Sequence, residues 1–206
     1  MLNLSHNGFQ GSIPPELFSI SSLSEGLDLS YNKFTGSISS NIGGLINLGS
    51  LSISNNQLSG EIPHTLGGCR HLESIRLEVN FLHGSIPSSF ASLGGLTEMD
   101  LSQNNLSGEI PNFLERFSAL QLLNLSFNNL EGIVPTGGAF TNSSTVFVQG
   151  NTKLCARNPM LQLPLCMPTL PKRKKTSYII SIAVPLASAV VIITACAELY
   201  MRKQYC

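Results

Sequence analysis

A column of asparagines constrains this 206-residue chain more than any other feature of its sequence. The asparagines recur at spacings of 25, 24, 24, 24 and 24 residues, and the same neighbours accompany each one. An apolar residue lies three positions before each asparagine, Phe or Leu two after, Gly four after, and Ile or Val six after. The six members are Asn7, Asn32, Asn56, Asn80, Asn104 and Asn128. A fixed period of this length predicts stacked units, because no single unit can bury its apolar face alone.

Each part of the repeat unit has a physical interpretation. The apolar alternation before the asparagine predicts a short strand with one face turned inward. The asparagine amide can bond backbone groups of neighbouring coils that burial would otherwise leave without partners. The second half carries apolar residues at helix-like spacing, as in Ile62, Leu66, Cys69 and Leu72. The sequence therefore predicts an α/β-type solenoid, with short parallel strands on a concave face and 3-10, helical and extended segments on the convex side.

The unit L-x-L-S-x-N-x-L-S-G-x-I-P resembles the plant-specific class of leucine-rich repeats, and residues 101–111 match it closely. With the segments that follow, the chain resembles plant leucine-rich-repeat receptor-like kinases, in particular those that sense microbial patterns, over residues 1 to about 203. The resemblance implies a membrane-anchored ectodomain that recognises a protein or peptide ligand. It also implies contact with a leucine-rich-repeat coreceptor near the end of the repeats.

The strict period stops after Asn128, and a different kind of sequence follows. We expect six repeats over 1–136, a C-terminal cap over 137–168, a basic juxtamembrane linker over 169–177, a transmembrane helix over 178–200 and a short tail over 201–206. The cap segment resembles the C-terminal cap of these ectodomains, which implies a disulfide between Cys155 and Cys166. The alternative is two free thiols in a reducing compartment. Cys69 falls in an apolar column and is predicted to be a small buried residue.

A run of 19 uncharged residues, Ile179–Ala197, is the basis for the predicted membrane helix. At about 1.5 Å per residue it would span roughly 28 Å, close to the thickness of a bilayer core. Four basic residues at 172–175 precede the run, so the positive-inside rule would place the repeats in the cytosol. The family resemblance instead places them outside the plasma membrane. Both topologies stay open, because the first residues do not have the pattern of a signal peptide.

Side chains between the inward leucines are expected to point into the concave face. They form three columns: Asp28, Ser52, Arg76, Asp100, Asn124; Ser30, Ser54, Glu78, Ser102, Ser126; and Tyr31, Asn55, Val79, Gln103, Phe127. Arg76 among acidic neighbours, with Tyr31 and Phe127, offers the charged and aromatic anchors that dominate interfaces. The predicted ligand-binding residues are Asp28, Tyr31, Ser52, Asn55, Arg76, Glu78, Asp100, Gln103, Asn124 and Phe127. The alternative is a solvated strand face with no ligand in this stretch.

Four Asn-x-Ser/Thr sequons begin at Asn3, Asn105, Asn124 and Asn142. They are candidate glycosylation sites, although a sequence rich in Ser and Asn also produces such triplets by chance. A glycan on Asn124 would lie on the predicted concave face and block ligand binding there.

Catalytic motifs are missing from the sequence. It has none of the kinase signatures, no Gly-x-Ser-x-Gly and no His-Glu-x-x-His, so we expect no enzyme, no cofactor and no metal site. The net charge of zero argues against a nucleic-acid partner. The prediction is a recognition fragment of a plant receptor-like kinase in immune or developmental signalling. The alternatives are a kinase-less decoy or regulatory receptor, and a non-functional truncated product whose first coil exposes an apolar edge.

Overall fold

The computed structural model describes residues 1–142, 144–157, 161–167, 193–201 and 203. These residues belong to two units, Met1–Met167 and Pro168–Cys206. The predicted linker and most of the predicted membrane helix, residues 168–192, lie outside the described residues, and residues 193–201 are helical and exposed. Within the described ranges no helix is both long enough and apolar enough to cross a membrane. The transmembrane helix therefore stays a prediction from the sequence.

We call the six asparagines of the repeat column, Asn7 to Asn128, the ladder asparagines. The strands that precede them form one parallel sheet, the first sheet. Its order is β1-β3-β5-β7-β9-β11-β13, because each strand is followed by a full coil before the next strand joins it. The strands are β1 Leu2–Asn3, β3 Gly26–Asp28, β5 Ser50–Ser52, β7 Ser74–Arg76, β9 Glu98–Asp100, β11 Leu122–Asn124 and β13 Val146–Phe147. The predicted solenoid of short parallel strands is confirmed.

The segments after the asparagines form a second parallel sheet, where the sequence predicted only extended chain. Its order is β14-β12-β10-β8-β6-β4-β2. The strands are β2 Gln10–Ser12, β4 Lys33–Ser37, β6 Gln57–Glu61, β8 Phe81–Gly84, β10 Asn105–Glu109, β12 Asn129–Ile133 and β14 Lys153–Cys155. The repeat glycine lies in these strands with positive φ, as at Gly60 (84°), where a Cβ atom would lie 3.0 Å from Ser37 Cβ. A side chain would be strained and crowded there, which accounts for the unbroken glycine column.

Among the described residues, six short 3-10 helices close the coils. They are η1 Pro15–Ser19, η2 Ser40–Gly44, η3 His64–Gly68, η4 Ser88–Ser92, η5 Asn112–Arg116 and η6 Gly138–Thr141. The helix-like apolar spacing thus corresponds to a short 3-10 helix in each of these coils. Each helix directs a large side chain, such as Phe18 or Phe90, into the core. Four of the helices follow a proline directly. At Ser39, the exception in the proline column, the hydroxyl accepts a hydrogen bond from the N–H of Asn41 and caps η2 instead.

One continuous apolar core runs through the stacked coils, from Ile13 to Leu154. Cys69 is fully buried in it, as its column predicts, and its thiol donates to the carbonyl of Ile42 at 3.3 Å. Burial raises the pKa of Cys69 to about 11, so this thiol stays protonated at neutral pH. At the first coil Phe9 is 45% exposed, beside an apolar groove that Leu4 and Leu17 also line. These side chains form an exposed apolar surface at the first coil.

The ladder asparagines bond the coils to one another. Asn56 is representative: its Nδ2 donates to the carbonyls of Ile53 and Ser54 in its own coil and of Leu29 in the preceding coil. Its Oδ1 accepts the N–H of Phe34, also in the preceding coil. The same set of bonds recurs at Asn32, Asn80, Asn104 and Asn128. The predicted bonding between neighbouring coils is confirmed.

One further coil follows Asn128, which the period did not predict. Its strands β13 and β14 join the first and second sheets. Asn151 continues the ladder: its Nδ2 donates to the carbonyls of Leu125 and Val148, and its Oδ1 accepts the N–H of Leu130. The spacing shortens here to 23 residues and the Gly-x-Ile-Pro signature is missing, so the repeat pattern did not reveal this coil.

The chain then turns back on itself at the C-terminal end of the solenoid. Cys155 and Cys166 are joined by a disulfide with their Cα atoms 4.9 Å apart. Ala156 and Leu165 form a bridge beside it, and the N–H of Ala156 donates to the carbonyl of Pro164. Leu154 and Ala156 are buried by this turn. The segment thus shields the last coil from water, as a terminal unit of a solenoid must.

Candidate ligand-recognition site

The first column of the repeats forms a continuous row across the first sheet. The register pairs Asp28 with Ser52, Ser52 with Arg76, Arg76 with Asp100, and Asp100 with Asn124. The row continues to Asn3 at one end and to Phe147 at the other. Neighbouring strands of a sheet lie about 4.8 Å apart, so these side chains form one surface about 29 Å long.

The serine column lies beneath this row. Ser30 donates from its N–H and its hydroxyl to Asp28 Oδ1, at 2.9 and 2.6 Å, and Ser102 bonds Asp100 in the same way. Ser126 makes the equivalent pair of bonds to Asn124. The serines are buried, with 3–5% of their surface exposed, where the sequence had placed them on the binding face. Ser30, Ser102 and Ser126 thus fix the orientation of the side chains above them.

The fourth coil departs from this arrangement, because Arg76 and Glu78 occupy the positions where the other repeats have an Asp, Asn or Ser followed two residues later by a serine. Arg76 Nη2 forms an ion pair with Glu98 Oε1, and Ser74 Oγ donates to Glu98 Oε2 at 3.0 Å. The bond to Glu98 is the main reason that the pKa of Arg76 is raised, despite opposing desolvation. Glu98 was not among the predicted residues. It lies two positions before Asp100 in β9, so the strand period alone would have placed it on the same face.

Glu78 is the least well satisfied polar residue of this surface. Its Oε2 is buried and has no hydrogen-bond partner within the described residues. Burial raises the pKa of Glu78 above its ordinary value of 4.5, and the charge of Asp100 acts in the same direction while Arg76 opposes it. One guanidinium therefore lies among three carboxylates, those of Glu78, Glu98 and Asp100. The fourth and fifth coils together thus hold more acidic than basic side chains in this part of the surface.

The third column has a backbone conformation that the sequence did not reveal. Tyr31, Asn55, Val79, Gln103 and Phe127 all have φ between 53° and 57°, the left-handed region. Asn tolerates this region, but a β-branched residue such as Val79 is strained there. The conformation turns the side chain outward at the strand end: Tyr31 is 51% and Phe127 56% exposed. The ring of Tyr31 stacks on His6 with the ring centroids 4.2 Å apart.

Half of the predicted residues line one shared depression. It has a volume of about 330 Å³ and is lined among others by Asp28, Tyr31, Ser52, Arg76 and Glu78. Asn55, Asp100, Gln103, Asn124 and Phe127 lie outside its lining. The depression offers carboxylates, a guanidinium, hydroxyls and an aromatic ring, groups suited to hydrogen bonding and ion pairing with a peptide. In the part of the chain described, no group of three or more His, Cys, Asp or Glu could hold a metal ion.

Comparisons with known proteins support the repeat assignment. Models of the leucine rich repeat match residues 1–20, 25–45, 47–69 and 70–130. The solved ectodomain of the receptor kinase SOBIR1 from Arabidopsis thaliana is 37% identical, with a TM-score of 0.54, and the match covers 61% of this chain and 68% of that one. The chain belongs to the leucine-rich-repeat family.

Other relatives of this leucine-rich-repeat chain are larger. The ectodomain of the plant membrane receptor kinase GASSHO1/SCHENGEN3 from Arabidopsis thaliana, in complex with CASPARIAN STRIP INTEGRITY FACTOR 2, is 38% identical with a TM-score of 0.73. The Arabidopsis receptor kinase HAESA, in complex with the peptide hormone IDA and the co-receptor SERK1, is 40% identical with a TM-score of 0.69. The two matches cover 81% and 75% of this chain, but only 19% and 26% of those chains.

A curated relative is the receptor kinase-like protein Xa21 of Oryza sativa subsp. japonica. It is 47% identical over 58 residues, which are 28% of the leucine-rich-repeat chain and 6% of the rice protein. The chain therefore corresponds to a small part of this receptor and of the two larger ectodomains.

Proposed function

We propose that the first sheet is a recognition surface for a protein or peptide ligand, in a plant receptor of the receptor-kinase type. The observation that carries the proposal is the fourth coil. It holds a carboxylate oxygen of Glu78 that is buried without a hydrogen-bond partner in the part of the chain described, and a β-branched residue, Val79, in the left-handed region. Both cost folding free energy, and departures of this kind from otherwise consistent local rules concentrate at functional sites.

The relatives support a peptide as the ligand class. HAESA is described in complex with the peptide hormone IDA, and GASSHO1/SCHENGEN3 in complex with CASPARIAN STRIP INTEGRITY FACTOR 2; they share the fold at 40% and 38% identity. A peptide lying along the row from Asp28 to Asn124 would meet, in order, a carboxylate, a hydroxyl, a guanidinium, a second carboxylate and an amide. It would also meet the ring of Tyr31 beside the depression.

A coreceptor is the second partner of the proposal. HAESA is described with the co-receptor SERK1. In this chain the C-terminal end of the first sheet exposes two aromatic side chains, Phe127 at 56% and Phe147 at 37%. Exposed aromatic residues near one another are typical anchors of protein interfaces. We place coreceptor contact at this end.

The third part of the proposal is attachment of the repeats to a membrane. The uncharged run Ile179–Ala197 would hold the repeats at the plasma membrane, on the extracellular side as in the resembled family. The role of the chain is then binding, and no catalytic step is assigned to its own residues. The kinase reaction of such receptors would come from a separate domain.

Peptide display tests the ligand surface directly. A library of random peptides on phage is selected against the immobilised full chain, and the enriched peptides are then measured against three variants. Arg76→Ala and Glu78→Ala are expected to weaken binding by about tenfold or more, as hot-spot residues do. Lys33→Ala, an exposed charge on the second sheet, is the matched control and should leave binding unchanged. Equal binding by all variants, or failure to enrich any peptide, would reject the first sheet as the recognition surface.

A further inference from the structure

We propose that Asn105 is an N-glycosylation site and that the exposed ring of Phe81 is the surface on which the first sugar packs. The proposal rests on the proposed function in one respect, because that function takes the repeats through the secretory pathway. It concerns the second sheet, which the ligand surface does not use.

The four sequon asparagines differ in their exposure and in the hydrogen bonds that their side chains make. Asn124 is partly buried, its Nδ2 donates to Asp100 Oδ2 at 3.0 Å, and its Oδ1 accepts both bonds from Ser126. A glycan there would break the row of the first sheet. Asn3 and Asn142 each accept two hydrogen bonds from the serine of their own sequon. Asn105 is exposed in β10, and none of the hydrogen bonds found among the described residues involves its carboxamide.

The surroundings of Asn105 are equally distinct. The register pairs Asn105 with His83 in β8, and Phe81 lies two residues before His83 on the same face of that strand. Neighbouring strands lie about 4.8 Å apart and residues two apart along a parallel strand about 6.6 Å, so the Cα atoms of Phe81 and Asn105 lie about 8 Å apart, within reach of an aromatic side chain. Phe81 is 64% exposed. Its counterparts in the other repeats are Gly8, Lys33, Gln57, Asn105 itself and Asn129.

The ring of Phe81 is an exposed apolar group on a strand face that is otherwise mostly polar. Among the described aromatic contacts none involves Phe81. The C–H face of an N-acetylglucosamine attached to Asn105 would cover the negative face of the ring and remove apolar area from water. The one aromatic residue of this column thus lies next to the one sequon of this column.

The modification is a group transfer with a defined co-reactant. The Asn105 amide nitrogen attacks the anomeric carbon of a polyprenyl-diphosphate oligosaccharide in the site of an oligosaccharyltransferase. A C–N bond forms, the C–O bond to the diphosphate breaks, the polyprenyl diphosphate leaves, and the transferase base takes one amide proton. No electron is gained or lost. The sugar would then extend over the second sheet and leave the row on the first sheet open.

Occupancy is the first test. The full chain, given a cleavable signal peptide so that entry into the secretory pathway does not depend on its own sequence, is produced in plant cells. Glycopeptide mass spectrometry then measures the occupancy at each sequon. We expect Asn105 to be occupied and Asn124 to be largely unmodified. An unoccupied Asn105 in chain whose Cys155–Cys166 disulfide has formed would overturn the proposal, whether or not peptide binding is found.

The role of Phe81 is tested on the glycosylated protein. In the wild type the acetyl methyl resonance of the first sugar should shift upfield, because it lies over an aromatic ring. Phe81→Ala should abolish the shift, and Phe127→Ala, which removes an equally exposed ring from the other sheet, should not. Enzymatic removal of the glycan should lower the thermal midpoint of the wild type by about 2 °C and that of Phe81→Ala by less. An unshifted methyl resonance, or equal losses in both proteins, would exclude the packing.

Discussion

Val79 has a backbone conformation that its residue type disfavours. The position before each ladder asparagine has φ near 55° in every repeat, and Asn55 meets this requirement with a side chain that tolerates the left-handed region. Val79 is branched at Cβ, and its side chain does not tolerate this region without strain. The fold imposes the conformation because Asn80 next to it is hydrogen-bonded to Leu77 of its own coil and to Ile53 and Leu58 of the preceding coil. The strain is therefore local, and the rest of the coil holds it in place.

Replacing this residue should stabilise the protein. We expect Val79→Asn to raise the free energy of unfolding by about 1 kcal/mol, because it relieves the strain of a β-branched residue at positive φ. Urea unfolding of the full chain, followed by circular dichroism, measures the change. The reverse substitution, Asn55→Val, is the matched control and should destabilise by a similar amount. A Val79→Asn variant less stable than the wild type would show that the valine is not strained.

Glu78 should make stability depend on pH in an unusual direction. Its folded-state pKa is raised above 4.5, so the folded chain holds the proton more tightly than the unfolded chain. Stability is then lost as the pH rises from 4.5 through the folded pKa. We expect Glu78→Gln to be more stable than the wild type at pH 7 by a few tenths of a kcal/mol, and equal to it well below pH 4.5.

Urea midpoints measured across this pH range test the expectation. Glu61→Gln, which removes an exposed carboxylate from the second sheet, is the control for a change of one charge. If Glu78→Gln gains nothing at pH 7 relative to that control, the carboxylate of Glu78 is stabilised by solvent or by a contact to a ligand.

At the scale of elements, the ladder asparagines define the coil. Each ladder asparagine after Asn7 bonds carbonyls of its own coil, just after the strand that precedes it, and a carbonyl and an N–H of the preceding coil. Buried backbone groups at the bend therefore keep their hydrogen-bond partners. The sequence signal for this arrangement is strong because the required geometry leaves few alternatives to Asn. The second sheet has a weaker signal, since Gly-x-Ile-Pro describes an extended chain but not its neighbours.

Loss of one ladder residue should be costly in the middle of the stack. Asn80→Ala would leave the N–H of Leu58 and the carbonyls of Ile53 and Leu77 without their present partners. We expect a loss of about 2–4 kcal/mol in the free energy of unfolding, measured by urea titration. Asn7→Ala is the control, because Asn7 is exposed and bonds only two carbonyls of its own coil. Its loss should be under about 1 kcal/mol, and equal losses would contradict a role for bonding between coils.

At the scale of the whole molecule, the stabilising contacts join each coil to its neighbours along the axis of the solenoid. Each coil contacts the coil before it and the coil after it, and the first coil of this chain contacts one neighbour only. The C-terminal end is closed by the turn that holds Cys155 and Cys166, whereas the first coil exposes Phe9 and partly exposes Leu4. The two ends of the stack are therefore not equivalent.

Hydrogen exchange should show this difference. We expect amides of β5, β7 and β9 to exchange slowest, and those of β1 and β2 to exchange at least tenfold faster than those of β13 and β14. Exchange of the full chain, resolved on peptides by mass spectrometry, makes the comparison. Uniform protection from the first coil to the last would contradict stepwise unfolding from the open end.

The sequence by itself determined the coil, its period, the inward leucines and the ladder asparagines, because these are local rules repeated every two dozen residues. It also placed Asp28, Arg76, Asp100 and Asn124 in one row, since the row follows from the register of the repeat. Only the tertiary structure decided which of those residues share a depression, that the serines lie beneath them, and that Glu98 holds Arg76. The same is true of the second sheet and of the coil around Asn151. Pairing between coils and burial depend on neighbours far apart in the sequence, and a period of residue types does not encode those distances.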